Sequence, residues 1–275
     1  MIDLHLHILP GVDDGARDGD EAEAMLRHLA TAGFSRVIAT PHLMEPLGLD
    51  YQLRVEAALE RLHPVANGFG IELGLGYEHM LDAGLAGRLC RGEPSTIGGS
   101  KAVLVELPLH GWSYEADRYL FDLEQAGYRP ILAHPERYVD VHRRPELVMA
   151  LAVRGVVLQV TIGSLAGVYG REVRNSARYL IKHAIESGAG VVLATDAHAM
   201  GRRLTQVPLG LDWLERHHRH GAAVVRWATS AVPNALLADE PVPGFDEWRT
   251  SQQGEQVRVG KGRWFSFRSL GPLSH

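Results

Sequence analysis

Nine histidine and carboxylate residues stand at the ends of apolar runs, where their types and spacing suit metal chemistry. His5-Leu6-His7 closes the first run, and Asp14 follows in the loop Ile8–Ala16. Thr40-Pro41-His42 and Gly76-Tyr77-Glu78 close two more, and Glu106 lies within Ala102–Leu107. Further on come His134-Pro135-Glu136-Arg137 and Thr195-Asp196-Ala197-His198. In an extended strand residues two apart point to one side, so His5 and His7 are aimed together, as are Asp196 and His198. Any one of these residues alone has a dull explanation as a satisfied polar side chain. The convergence of the set carries the inference.

The nine residues supply five imidazoles and four carboxylates. One zinc ion takes about three or four ligands, so the set suits two or three divalent ions, with a carboxylate bridging a close pair. Imidazole plus carboxylate without thiolate fits Mn²⁺, Fe²⁺ or Zn²⁺. Such a centre is positive overall and attracts a compact anion, above all a phosphate. Arg137 stands three residues after His134, and Arg202 and Arg203 follow His198. Guanidinium groups bind phosphate oxygens as a bidentate fork. The chemistry that follows is hydrolysis of a phosphate ester. Metals lower the pKa of a bridging water from about 16 to roughly 7, and the hydroxide attacks phosphorus in line.

The elements that must position these residues alternate. Short β-rich runs at Ile2–His5, Arg36–Ala39, Gly70–Leu75, Ala102–Leu107, Pro130–Ala133, Val156–Val160 and Gly190–Ala194 read as strands. Helical candidates lie at Asp18–Ala32, Tyr51–Leu62, Ser113–Ala126, Pro145–Val153, Glu172–Ser187 and Leu204–His218. Asp18 or Asp20 caps the first and Gly33 ends it. Buried strands alternating with helices form a parallel sheet covered by helices. Seven such units favour a closed or distorted α/β barrel, with an open Rossmann-like sheet as the alternative. In either architecture the carboxyl ends of the strands are where active sites are built. No Gly-x-Gly-x-x-Gly follows a candidate strand, which argues against a dinucleotide site.

With 275 residues, 45% hydrophobic and 22% charged, the chain has the composition of a globular enzyme-sized core. A net charge of −5 offers no general basic surface for nucleic acid or an acidic membrane. The single cysteine, Cys90, excludes a disulfide framework. Asp3, His5 and His7 interrupt the amino-terminal apolar residues, so no signal peptide is expected there, and no uncharged run is long enough for a membrane helix. A cytoplasmic protein without membrane insertion is the expectation. Residues 1–240 read as one domain. Residues 241–275, with net charge +2 and the aromatics Trp248, Trp264, Phe265 and Phe267, read as a loosely docked extension or a partner contact.

These strings resemble the polymerase and histidinol phosphatase (PHP) superfamily. Within it they are most similar to the manganese-dependent tyrosine phosphatases of capsule and exopolysaccharide gene clusters, the CpsB/CapC type. The resemblance rests on Met1–Gly15, Ala39–His42, Gly74–Glu78, Val105–Pro108, Leu132–Tyr138, Gln159–Ser164 and Thr195–His198. The runs His7-Ile-Leu-Pro-Gly-Val-Asp-Asp-Gly15 and His134-Pro-Glu-Arg-Tyr138 are its most specific parts. It implies a distorted (β/α)7-type barrel with a trinuclear site. By similarity, His5, His7, Glu78 and Asp196 serve one ion, Glu78, Glu106 and His134 the second, and Asp14, His42 and His198 the third. Arg137 and Arg203 hold phosphate, Arg203 being preferred over Arg202 by its spacing from Asp-Ala-His. The sequence departs from the family at Ala199, where Asn is usual. The implied partner is a phosphotyrosine-bearing protein, a bacterial tyrosine kinase of polysaccharide assembly, and the implied metal is Mn²⁺. A phenolate leaves without much proton donation because its pKa is about 10, which fits the lack of an obvious general acid.

Rival readings are a small-molecule phosphatase such as histidinol phosphatase, a metal-dependent nuclease, and a catalytically silent metal-stabilised scaffold. Cys90 is read as a buried or incidental thiol, since position 96 is Thr where a cysteine phosphatase needs arginine. Arg216–His220 reads as a solvated helical end, and Ser164 lacks a Gly-x-Ser-x-Gly setting.

Overall fold

The computed structural model describes residues 1–43, 48–93, 96–109, 112–113 and 115–252. Among them are nine strands: β1 (Ile2–Leu6), β2 (Arg36–Ala39), β3 (His42–Leu43), β4 (Glu72–Leu75), β5 (Glu78–Met80), β6 (Ala102–Glu106), β7 (Arg129–Ala133), β8 (Val157–Thr161) and β9 (Val191–Ala194). Every pairing is parallel, in the orders β1-β2-β4 and β3-β5-β6-β7-β8-β9. The nine make seven staves, because β2 runs on into β3 and β4 into β5. Pro41, which has no N–H to donate, stands at the first break, and Gly76-Tyr77 at the second. Across the breaks Gly76 N–H donates to the Ala39 carbonyl (2.8 Å) and Glu78 N–H to the Pro41 carbonyl (3.2 Å).

The ring closes between the first and last staves. Leu6 pairs with Ala197, His7 N–H donates to the Ala197 carbonyl (2.9 Å), and Asp196 N–H donates to the His5 carbonyl (2.8 Å). Asp3, wholly buried, reinforces the seam: its carboxylate accepts from Thr195 Oγ1 (2.6 Å), Thr195 N–H and His5 N–H (3.2 Å). The architecture is therefore the distorted α/β barrel expected from the sequence, and the open sheet is set aside. The distortion includes the two breaks and a register shift between β1 and β2 over Asp3–Leu6.

Parallel strands covered on both faces read as continuous apolar runs, as in Val103-Leu104-Val105 and Val191-Val192-Leu193, all buried. Helices pack outside with one apolar face each. In Arg171–Ser187 the buried positions are Ser176, Ala177, Leu180, Ile181, Ala184 and Ile185, adjacent pairs recurring every four residues. Gly188, at φ +75°, ends that helix. Asp18 caps helix Gly19–Thr31 by accepting from Glu21 N–H (2.9 Å), an interaction of about 1 kcal/mol. Helix Leu49–Gly68 extends six residues past the expected end because it runs through Pro64. The bond Pro64 cannot make belongs to the exposed turn at Glu60, where water can serve that carbonyl.

Residues 241–252 are seated on the barrel. Phe245 is buried against Trp227 (ring centroids 5.6 Å apart), and Trp227 Nε1–H donates to the Pro243 carbonyl (2.9 Å). Trp248 lies beside Phe245. Trp264, Phe265 and Phe267 lie outside the described residues. Cys90 is exposed rather than buried, at the end of helix Leu85–Cys90. No described helix is long and apolar enough to cross a membrane.

Candidate metal centre

The carboxyl ends of the staves bring all nine sequence-predicted residues to one mouth of the barrel. From β1, His5 and His7 project side by side and fully buried. His5 Nδ1 lies 2.8 Å from Gln159 Oε1, and His7 Nδ1 lies 2.7 Å from Asp13 Oδ2. Gln159 Oε1 also accepts from His134 N–H (2.9 Å), and Asp13 accepts from the His42 and Gly15 N–H groups. Those second bonds identify both atoms as acceptors, so each imidazole donates from Nδ1 and turns Nε2 inward. The two Nε2 atoms are 3.3 Å apart.

Glu78 is the hub. Its Oε2 lies 3.1 Å from His5 Nε2, 3.2 Å from His7 Nε2 and 3.1 Å from His42 Nδ1. Its Oε1 meets His134 Nε2 at 3.1 Å, with Glu106 Oε1 3.5 Å from the same nitrogen. The register puts His42 beside Glu78, while Glu78 pairs with Leu104, so Glu106 stands two residues further along its strand. Asp14 Oδ1 lies 3.5 Å from both His42 Nε2 and His198 Nε2. His7 and His198 stack at 3.8 Å.

Among the described residues four overlapping sets could hold an ion, each with its ligand atoms within 4.8 Å of one another: His7, Asp14, His42 and His198; His5, His7 and Asp196; His5, Glu78 and His134; and His42, Glu78 and Glu106. These sets contain all nine residues. They divide them somewhat differently from the family-derived scheme, since His7 reaches two sets and Glu106 groups with His42.

Two arginines close the rim over Asp196. Arg137 Nη1 donates to Asp196 Oδ2 (3.0 Å). Arg203 Nη1 lies 3.0 Å from Asp196 Oδ1, 2.9 Å from its carbonyl oxygen and 2.6 Å from His198 Nδ1. The Arg202 side chain is exposed. His134 (φ 31°) and Asp196 (φ 49°) both sit in the left-handed region, a cost of about 1–3 kcal/mol each that recurs at functional sites. Gly15 lets the Asp13–Asp14 loop fold back on β1, since a Cβ there would collide with the His7 carbonyl.

The electrostatics describe a cluster that calls for positive charge. Burial opposes ionisation of Glu78, yet the charge on His5 and the bonds from His134, His5 and His7 hold its carboxyl well below the usual range. Burial is likewise outweighed at Asp13, brought down to about 2 by the His7 bond. Burial disfavours the His7 cation, but the bonds to Asp13 and Glu78 carry it up to about 10. Burial and the neighbouring Glu78 push Glu106 up to about 7. Burial and the nearby His7 lower His42, and bring His198 down to about 4. Burial lowers His134 as well, leaving it in the neutral form that ligates metals.

Divalent ions fit this donor set. Two buried Nε2 atoms facing one another at 3.3 Å need a cation or shared protons between them. His134 Nδ1 is buried without a hydrogen-bond partner. Sequence reasoning missed the residues that orient the candidate ligands: Asp13, Gln159 and Asp3. The signal lay in a polar residue within an otherwise apolar strand, as at Gln159 in β8 and Asp3 in β1. It also missed Tyr169, whose hydroxyl lies 3.4 Å from Asp196 Oδ2.

The closed barrel and the nine converging residues define an α/β-barrel protein with a candidate polynuclear metal centre. The chain belongs to the CpsB/CapC family of capsular polysaccharide synthesis, whose model matches residues 1–237. It is 30% identical over 218 residues to the tyrosine-protein phosphatase YwqE of Bacillus subtilis (strain 168), covering 78% of this chain and 84% of that protein. It is 22% identical over 249 residues to the tyrosine-protein phosphatase CpsB of Streptococcus pneumoniae, covering 87% and 99%. A solved structure from work on YwqE and CpsB, described as unique metal-dependent tyrosine phosphatases, superposes with a TM-score of 0.76 at 27% identity, covering 88% of this chain and 96% of that one.

Proposed function

We propose that the protein is a metal-dependent protein-tyrosine phosphatase acting in the control of capsule or exopolysaccharide synthesis. The observation that carries this reading is the mutual approach of His5 Nε2 and His7 Nε2 beside Glu78, under two arginines that meet at Asp196. Family membership and the activities named for its relatives support the substrate. The ligands are His5, His7, Asp14, His42, Glu78, Glu106, His134, Asp196 and His198. Two or three divalent ions, Mn²⁺ by preference, would supply the electrophilic charge and the activated water for hydrolysis.

The chain's own residues do the rest. Gln159 and Asp13 fix the tautomers of His5 and His7, so that both nitrogens are ready without reorganisation. Arg137 and Arg203 donate to phosphoryl oxygens and offset the charge that develops on them. The leaving phenolate needs little proton donation. The substrate is a phosphotyrosine on a cytoplasmic tyrosine kinase of polysaccharide assembly, and residues 1–240 form the catalytic unit.

The test is phosphate release from a phosphotyrosine peptide with Mn²⁺ and with chelator, beside histidinol phosphate. Mn²⁺-dependent turnover favouring the peptide is expected. Preference for histidinol phosphate would keep the centre and overturn the substrate. Turnover of neither by metal-loaded protein would overturn the phosphatase reading.

A further inference from the structure

Tyr169 lies in the turn between the helices Ile162–Leu165 and Arg171–Ser187, outside every set of candidate ligands. Its ring is shared by both rim arginines. Arg137 Cζ stands over it at 4.9 Å from the ring centroid and Arg203 Cζ at 5.4 Å. The Tyr169 hydroxyl lies 3.4 Å from Asp196 Oδ2, the oxygen that Arg137 also reaches. The segment touches Arg203 a second way. A Cβ on Gly163 would come within 3.1 Å of Val168 and 3.4 Å of the Arg203 carbonyl, so Gly163 packs directly on the Arg203 backbone and against Val168. Gly167 (φ +85°) and Gly170 (φ +93°) flank Tyr169, and their conformations let the chain turn sharply on either side of the ring.

Two guanidinium groups held close together repel. Asp196 offsets that repulsion, but its carboxylate also belongs to a candidate metal set. An aromatic face attracts both cations and leaves their N–H edges free to donate. From this geometry we infer that Tyr169 is a positioning residue: its ring is the platform that holds Arg137 and Arg203 at the spacing needed to grip one phosphate. The inference rests on the phosphatase reading and assigns the ring, rather than the hydroxyl, the decisive part. It marks the phosphoryl end of the substrate pocket as the edge formed by Arg137, Tyr169 and Arg203.

The test compares Tyr169→Leu and Tyr169→Phe with the wild type, using inorganic phosphate as the probe. Phosphate binding to Mn²⁺-loaded protein is measured by calorimetry and as competitive inhibition, with the Mn²⁺ half-saturation and thermal midpoint measured in parallel. Tyr169→Leu is expected to weaken phosphate about tenfold or more, and to lower kcat/KM in step. Its Mn²⁺ half-saturation should change by less than about twofold. Tyr169→Phe, which restores the ring, should recover phosphate affinity to within about threefold of the wild type. Unchanged phosphate affinity in Tyr169→Leu would overturn the inference. So would equal losses in both variants, which would assign the role to the hydroxyl. Parallel losses of Mn²⁺ affinity and thermal midpoint in Tyr169→Leu would make Tyr169 structural. If wild-type protein binds phosphate but leaves phosphotyrosine peptide intact, the substrate reading fails, while the calorimetry still decides the role of Tyr169.

Discussion

Replacing Gln159 by Leu removes the one acceptor shared by His5 Nδ1–H and His134 N–H, both in a fully buried setting. Each donor left without a partner costs about 1–3 kcal/mol. Against that, the Gln159 amide nitrogen already lacks a partner in the wild type, and leucine buries without any polar cost. The expected loss of stability in metal-free protein is therefore about 2–4 kcal/mol. The effect on the metal centre is separate. Without Gln159 nothing fixes the His5 proton on Nδ1, and the ring is free to turn its Nε2 from Glu78. Loss of such an orienting partner weakens metal binding by about 10–100-fold, or roughly 1.4–2.7 kcal/mol. Gln159→Glu keeps an acceptor and forfeits only an N–H that bonds to nothing, so it should bind metal more tightly than the leucine variant. Chelator-stripped protein titrated with Mn²⁺, followed by calorimetry and by turnover, measures the affinity, and urea unfolding measures the stability. A leucine variant with wild-type half-saturation would refute the orienting role.

Other expectations follow from the same geometry. His134→Ala should lose turnover by more than about 100-fold while remaining folded by circular dichroism, whereas a silent scaffold would show chiefly a loss of stability or partner binding. Gly15→Ala should displace the Asp13–Asp14 loop, because its methyl group meets the His7 backbone, and raise the Mn²⁺ half-saturation several-fold. Asp3→Ala should open the seam between β1 and β9 by stranding Thr195 and His5 donors, a loss of about 2–4 kcal/mol in urea unfolding. Removing metal by chelation should lower the thermal midpoint, and restoring ions at about a hundredfold above Kd should return roughly 2.7 kcal/mol.

Much of the fold was legible because its signals are local. Apolar runs bounded by polar stops marked the strands, and Asp18 and Gly33 marked both ends of a helix by capping chemistry and backbone freedom. The continuation of helix Leu49–Gly68 through Pro64 was not legible, since proline reads locally as a stop and only exposure of the affected turn makes it tolerable. The stops at Pro41 and Gly76-Tyr77 were legible as strand ends, but the continuations β3 and β5 beyond them were missed for a related reason. Whether a stave continues past a break depends on the neighbour that receives its hydrogen bonds.

For the site, residue type and period determined the candidate ligands: histidines two apart on a strand share a side, whatever surrounds them. All nine came from that rule and from the strand ends. Tertiary structure decided the assignments among near neighbours. Asp13 and Asp14 are chemically alike, yet the fold points Asp13 at His7 Nδ1 and leaves Asp14 facing His42 and His198. Arg202 and Arg203 are equally basic, and only the second reaches Asp196. Gln159 meets a histidine 154 positions away, and the Tyr169 hydroxyl a carboxylate 27 positions away. A sequence displays what each side chain is able to do; which atom it meets depends on barrel closure, when β1 and β9 come together and residues far apart in the chain become neighbours.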